Sequence, residues 1–434
     1  MTNGYVQKHG RAGRALAPWL GMLLLSVLQC GVTAARAEEV AAGTVMSAQN
    51  IDELKSKTLA GVSIGQLLTE RQEWVIKNHG LKMMLYPASE LPEDPSKLER
   101  TRQYSNQVRF DAATRRVAGF VAGAPFPEID EADPNAGDKV VYNQAYGAIY
   151  GDVNVFSPMM VVTIGGEKGI ETVNTYRFAR FYLLGRNSGE PTMGDGTRRI
   201  LQTFIGLSPE DIRGSGTFQV RYGDARFDDV YVYVRSLRRV RRLSSGSWAD
   251  PVQGTDLLQD ELFGLNAHPT WYKQVKLIEK RKVLAIVHGD PPFMWDPDKA
   301  KLADIPGMDF KNAPHWQPVD RWEPVDAYKL EITPEATHLL SRKIVWMSAS
   351  PYSPLVLSSE AFDKKGEFWR YTINRFSVAR NGRGQDVMYF AGNITQDYQR
   401  MHATALVSTP SWVIDPPGAR VEEFDIEALK RLVQ

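Results

Sequence analysis

From residue 105 onward, short runs of β-branched and aromatic residues are separated by turn chemistry at an unusually high density. "SNQVRFD" and "RRVAGFVAG" flank an Asp-Ala-Ala-Thr turn, and "RFARFYLLG" and "RRILQTFIGL" flank a loop containing Asp195-Gly196. "GTFQVRY" precedes "DVYVYVRSL", while "SPLVLSSEAF" and "EFWRYTINRFSVA" meet at Asp363-Lys364-Lys365-Gly366. "FSVARNGRGQDVMYFAGN" turns at Asn381-Gly382. Alternating runs joined by such turns are hairpins, and this many in succession form an antiparallel meander. A sheet of that size must bury a face under helices. The fold class expected is mainly β with α: a large curved antiparallel sheet, or incomplete barrel, with plugging helices.

Helical signals are fewer. Asn50 with Glu53 resembles a capping box before Ile51 and Leu54. "SIGQLLTERQEWVIKNHG" predicts one amphipathic helix, with Ser63 as N-cap, Gly80 as stop, and Ile64, Leu67, Leu68, Trp74 and Val75 on one face. Its other face mixes Glu70, Glu73, Arg71 and Lys77, which favours packing on a sheet over lying on a membrane. Short helices are expected at "SPEDIRG" and "DLLQDELFG", and a last one at "DIEALKRLV". Residues 289–322 are rich in Pro and Trp and read as a long loop. No flexible linker divides the chain, so residues 38–434 are expected to form one domain.

The first residues set the compartment. Lys8, Arg11 and Arg14 precede the apolar run "ALAPWLGMLLLSVLQCGVTAA", which ends in Ala35-Arg36-Ala37. This is the pattern of a cleavable signal peptide over residues 1–37. The competing reading is an uncleaved anchor, which Pro18, Gln29 and Thr33 weaken as a span. Cys30 is the only cysteine, and Leu28 and Gln29 before it make a poor lipidation site. Cleavage would leave a cysteine-free chain, with no thiol catalysis and no cysteine-bound metal. With 52 basic and 51 acidic residues in the whole chain, losing Lys8, Arg11, Arg14 and Arg36 leaves it about neutral. The simplest destination is a Gram-negative periplasm, which excludes nucleic acid as a partner.

Against that neutral background, "RSLRRVRRL" concentrates positive charge at Arg235–Leu243. Continuing the alternation of "VYVYV" places Leu237, Arg239, Arg241 and Leu243 on one face and Arg238, Val240 and Arg242 on the other. Two readings stay open. The arginines pair with Asp224, Asp228, Asp229, Asp256, Asp260 or Glu261. Alternatively Arg238, Arg239, Arg241 and Arg242 form a rim for lipid phosphates or an acidic partner, since guanidinium matches phosphate bidentately.

No catalytic pattern emerges. G-x-S-x-G and H-E-x-x-H are absent, and His79, His268, His288, His315, His338 and His402 have no paired spacing. "EIDEADPNAGD" clusters acids but lacks the glycine and terminal glutamate of an EF-hand, so it reads as a turn-rich loop. A non-enzyme without metal or cofactor is expected.

"GTVMSAQNIDELKSKTLAGVSIGQLLTERQEWVIKNHGLKMML" and "AGAPFPEIDEADPNAGDKVVYN" closely resemble the domain-of-unknown-function 1329 family, often described as outer-membrane lipoprotein-sorting-like. The resemblance runs through "VYVRSLRRVRRL" and "EAFDKKGEFWRYTI" to "FDIEALKRL", and G-x-P-F-P followed by D-P-x-A-G-D-K is its most specific part. Tyr142-Asn143 stands where members commonly carry Trp-Asn, and "IVWMSASPYSPL" lacks their usual aspartate. Separately, "VYVYVRSLRRVRRLSSGSWADPVQGTDLLQDEL" is similar to the signature of LolA-like periplasmic carriers. The resemblance implies an incomplete barrel whose plugged side can take lipid acyl chains. It also implies neighbours among resistance–nodulation–division type exporters and outer-membrane proteins.

The function expected is therefore a periplasmic carrier or chaperone of a lipid or other hydrophobic molecule; the alternative is a non-transporting accessory subunit with a filled barrel. Met159, Met160, Phe204, Leu207, Trp248, Leu258, Leu262 and Phe263 lie near the candidate plug and are the residues expected to line a hydrophobic cavity.

Overall fold

The computed structural model describes residues 38–147, 150–243, 247–252, 254–289, 305, 307–408 and 413–433. The expected signal peptide lies outside these residues, as does most of the first half of the Pro/Trp-rich segment. Among the described residues no helix is long and apolar enough to cross a membrane.

From "RFARFYLLG" onward the quoted alternating runs fall on strands of a longer series. In chain order they are β1 (Thr44–Met46), β2 (Met83–Leu85), β3 (Val153–Gly165), β4 (Gly169–Tyr182), β5 (Arg198–Ser208), β6 (Gly216–Tyr222), β7 (Asp229–Val234) and β8 (Arg239–Arg242). There follow β9 (Tyr272–Ala285), β10 (Arg321–Pro334), β11 (Arg342–Ser348), β12 (Val356–Phe362), β13 (Phe368–Arg380), β14 (Asp386–Asp397) and β15 (His402–Ser408). All belong to one sixteen-stranded sheet, completed by Val413–Ile414 against β3. Spatial order is β9-β10-β11-β12-β13-β14-β15-β3-β4-β5-β6-β7-β8, antiparallel throughout, with β2 joining the start of β10 in parallel. The C-terminal half of the meander thus precedes the N-terminal half, joined where β15 meets β3 with Leu406 opposite Val161. The sheet is not closed into a barrel: β8 and β9 lie at its opposite ends. "SNQVRFD" and "RRVAGFVAG" make a separate small hairpin at Arg109–Asp111 and Arg116–Ala118.

Both faces of the central strands are apolar, so both are covered. On one, Met160, Val162 and Ile164 of β3 join Ala403, Ala405 and Val407 of β15. This face carries the N-terminal helices α1 (Ile51–Leu54), α2 (Ile64–Leu67) and α3 (Glu70–His79), through Ile51, Leu54, Ile64, Leu67, Val75 and Ile76. The single helix predicted from Ser63 to Gly80 is two. Leu68 is extended, and Thr69, not Ser63, caps α3 in a capping box with Gln72, while Gly80 ends it at φ +72°. Among the remaining helices, α4 (Pro95–Tyr104) begins at the Asp94 cap. Helix α5 (Ala136–Tyr146) packs Val140 and Val141 against Val275, Leu330 and Val345. Helix α6 (Ile426–Val433) packs Leu429 on Phe181, Leu201 and Val220. "SPEDIRG" forms turns rather than a helix.

Candidate functional site

The topology sets a problem that the segment between β8 and β9 solves. These strands are neighbours in sequence but occupy opposite ends of the open sheet, and the described part of the chain between them, residues 247–252 and 254–271, runs across one of its faces. That face carries Phe156, Met159 and Val161 of β3, Phe178 of β4, Leu357 of β12, Phe376 of β13, Met388 and Phe390 of β14 and Leu406 of β15. The crossing segment covers it with Leu257 and Phe263, with Leu262 packed alongside. "DLLQDELFG" is not the expected helix. Only a 3-10 turn forms, at Gln259–Glu261.

Phe263 is the wedge. Its ring centroid lies 4.9 Å from that of Phe178, 5.1 Å from Phe390 and 5.6 Å from Phe156. Its backbone sits at φ +57°, a left-handed conformation that costs a bulky residue about 1–2 kcal/mol. Gly264 follows at φ +97°, where a Cβ would fall 2.5 Å from that of Val356. The glycine therefore lets the cover approach β12 closely enough to seat the Phe263 ring.

A buried ionic cluster fastens the same segment. Lys343 Nζ donates to Asp260 Oδ2 at 2.7 Å and lies 3.5 Å from Glu261. Arg370 donates to Glu261 at 3.2 Å and to the Asp256 carbonyl. Thr404 Oγ1 donates to Asp256 at 2.8 Å, and His402 Nδ1 lies 2.7 Å from the same oxygen. His338 accepts the Leu340 N–H on Nδ1, which turns its protonated Nε2 toward Asp260 at 3.5 Å. Asp256, Asp260, Glu261, Lys343 and Arg370 are all buried. Burial alone would raise the Asp260 carboxyl, but Lys343 and His338 overcome it and hold it below the ordinary range. These acids therefore clamp the cover to β11, β13 and β15.

Beyond the wedge, the cover meets a second polar group on β4, β5 and β6. Arg180 donates to Gln202 Oε1 at 2.7 Å, Gln202 Nε2 to Gln219 Oε1 at 3.1 Å, and Gln219 Nε2 to Asp228 Oδ2 at 2.5 Å. Arg221 donates to Asp228 at 2.8 Å and to Asn266 Oδ1 at 3.2 Å, and Arg180 closes the ring on Asn266 Oδ1 at 3.3 Å. The register places Arg180 opposite Gln202 and Gln202 opposite Gln219, so the row follows from strand pairing. Arg199 stands beside the ring. It is 2% exposed, donates to the Ala145 carbonyl and lies 4.0 Å from the Tyr146 ring. Together with Phe263, Asn266 and His268 these arginines line a cavity of about 20 Å³, room for a water or two. Burial, reinforced by Arg199 and Arg221, pushes the His268 imidazole down to about 3, so it stays neutral.

The profile of the protein family of unknown function DUF1329 matches residues 45–429. The chain belongs to this family. No curated protein matches it. A Vibrio parahaemolyticus structure assigned as an outer membrane lipoprotein-sorting protein domain is 15% identical, covering 69% of this chain and 100% of its own, at a TM-score of 0.47. A DUF1329 family protein from Desulfovibrio piger is 16% identical over 69% of this chain and 100% of its own, at 0.46. A LolA superfamily protein from Nitrosomonas europaea is 12% identical over 67% and 98%, at 0.39.

In this DUF1329 chain the eight apolar candidates do not share one place. Met159, Phe204, Leu262 and Phe263 meet on the face beneath the cover. Met160 points to the opposite face, under the N-terminal helices. Leu258 packs with Leu340 and Ala361, and Trp248 against the α5 cluster. Leu207 is half-buried near the end of β5. The arginine stretch also differs from the straight strand expected. Residues 235–237 form a 3-10 turn, Arg238 sits at φ +49°, and Arg239–Arg242 returns alongside β7 as the edge strand β8. Arg235 pairs with Glu210 at 2.9 Å, and Arg242 with Asp229. Arg239 and Arg241 are exposed, and among the described residues neither forms an ion pair. Asp228 goes to Arg221, and Asp224 to Arg226. "EIDEADPNAGD" holds itself in turns through Asp130 and Asp133, and among the described residues no acid and histidine cluster converges as metal ligands.

Proposed function

We propose that this protein is a periplasmic carrier or chaperone of a lipid or other hydrophobic molecule, working with an envelope export system and catalysing no reaction. The observation that carries the reading is the cover itself. An apolar sheet face is closed by an irregular segment that inserts one strained aromatic side chain, Phe263, into a nest of Phe156, Phe178 and Phe390. The segment is irregular and its apolar anchors on this face are Leu257, Leu262 and Phe263, so a local opening would carry the Phe263 ring out of the nest while the ion pairs of Asp256, Asp260 and Glu261 keep the segment attached. A hydrophobic cargo would displace the Phe263 ring and take its place among Met159, Phe204 and Leu262. The free arginines of the edge strand, Arg239 and Arg241 with Arg238 at the turn, would serve an acidic partner or lipid phosphates. The lipoprotein-sorting and LolA names of similar structures, the signal-like N-terminus and the implied exporter and outer-membrane neighbours agree with this reading.

A second reading, a non-transporting accessory subunit, is favoured by the filling of that face. The two cavities beside the cover and near Lys97 measure only about 20 and 10 Å³, far below the volume of an acyl chain. Native mass spectrometry of the protein purified from its own periplasm separates them. A carrier arrives with a fraction of bound lipid mass, whereas a clean polypeptide mass across preparations establishes the accessory subunit.

A further inference from the structure

The cavity between the cover and β4–β6 carries more positive charge than its surroundings neutralise. Arg180, Arg199 and Arg221 line it, and Asp228, bound to Arg221, is the acid in their hydrogen-bonded ring. Arg180 donates to neutral groups, the amide oxygens of Gln202 and Asn266 and the Tyr182 side chain, and among the described residues it forms no ion pair. Arg199 has a backbone carbonyl and an aromatic face, and its buried Nε has no hydrogen-bond partner among the described residues. His268 adds no charge, being neutral, and the more distant Asp224 is taken by Arg226. Burial pulls both Arg180 and Arg199 below the ordinary arginine range, so the fold works against their charge without supplying a counter-ion. A buried guanidinium left this way is costly unless a partner arrives.

The Asn266 amide marks where that partner would sit. Its Oδ1 accepts from Arg180 and Arg221 together, at 3.3 and 3.2 Å, as one oxygen of a carboxylate would. Asn266 and Phe263 belong to the same cover segment, and the Phe263 ring lines this cavity, 5.1 Å from the Arg180 guanidinium. The cover thus presents a polar oxygen on the arginines and an apolar ring in the phenylalanine nest three residues apart. That pattern is a carboxylate joined to a hydrocarbon chain.

We propose that this cavity binds a carboxylate, forked by Arg180 and Arg199 in place of the Asn266 amide, either the head of a single-chain amphiphile or a small free acid. The carboxylate site stands on the arginine geometry alone; the amphiphile as its source rests on the carrier reading. A cavity with room for two waters fits the two oxygens of a carboxylate.

The test uses the full mature chain with laurate, acetate and dodecanol. Isothermal titration should show laurate binding at least tenfold tighter than dodecanol, and Arg199→Gln should remove that preference while changing dodecanol affinity less than twofold. Because a buried arginine variant can fail to fold, the wild-type protein is also crystallised with 11-bromoundecanoate and, separately, with bromoacetate. Carboxylate density on Arg180 and Arg199 with both ligands establishes the site and its amphiphile. Density with bromoacetate alone establishes the site and refutes the carrier reading. A bound chain whose head points to solvent refutes the site and leaves the carrier reading standing. Binding of neither acid overturns the proposal.

Discussion

Phe263 and Lys97 show how single residues set the terms for this fold. Phe263 fills an aromatic nest at the cost of a left-handed backbone. Phe263→Ala removes a buried ring, a loss of about 3–5 kcal/mol, and keeps the left-handed strain because alanine retains its Cβ. The melting temperature should fall by several degrees, and dodecanol should restore more of it than it adds to the wild type, because the internal competitor is gone. An equal ligand increment in both proteins would show that the ring does not occupy a ligand site. Lys97 is a different case. Its ammonium is buried and donates to the Tyr352 carbonyl at 3.0 Å, and burial pushes it down to about 7 against the pull of Asp94 and Glu93. Between about pH 7 and the ordinary lysine range, the unfolded chain holds a proton here that the folded chain has released. Stability therefore rises with pH across that window and gains nothing from this group below it. Denaturant titrations should find Lys97→Met most stabilising, relative to wild type, at pH 7 and below, with the advantage shrinking toward pH 10. An advantage independent of pH would contradict the burial of a titrating amine.

At the scale of elements, the edge strand and the cover differ in how much of each was legible. The meander could be read because its strands alternate and its turns are local, and β4 to β7 and β12 to β14 appear where those signals stand. The split between α2 and α3 was not legible from apolar spacing, because Leu67 and Leu68 keep the helical period while Thr69 and Gln72 form the stronger cap. Arg180 and Arg199 carried a faint signal, charge inside runs that are otherwise apolar on both phases, but their meeting depends on the register of successive hairpins and on the cover laid over them, which apolar spacing does not give. The cover's role could not be read locally at all, since it follows from β8 and β9 lying at opposite ends of the sheet. Exposed Arg239 and Arg241 on β8 have a structural use, since charged edge strands resist edge-to-edge association. If they also serve an anionic partner, Arg239→Gln with Arg241→Gln should weaken binding to anionic vesicles at least threefold at low salt, with little difference at high salt. The melting temperature should shift by less than about 2 °C, as expected for exposed side chains. Unchanged vesicle binding with concentration-dependent self-association would assign them to edge protection alone.

For the whole molecule, we read residues 38–434 as one cooperative domain, because the cover is tied to the last half of the meander through Asp256, Asp260 and Glu261 and to the first through Phe263 and Asn266. A single calorimetric transition is expected, and two resolved transitions would contradict it. The central claim is that this cover opens to admit a hydrophobic cargo. Buried ion pairs make the closed form specific while leaving its net stabilisation modest, since desolvation consumes much of their attraction. Hydrogen exchange on the protein with and without laurate tests the claim most directly. Amides of residues 257–266 should lose protection when laurate binds, while those of β13, β14 and β15 keep theirs. Unchanged or increased protection of the cover at saturating laurate would mean that the segment is a fixed part of a filled core.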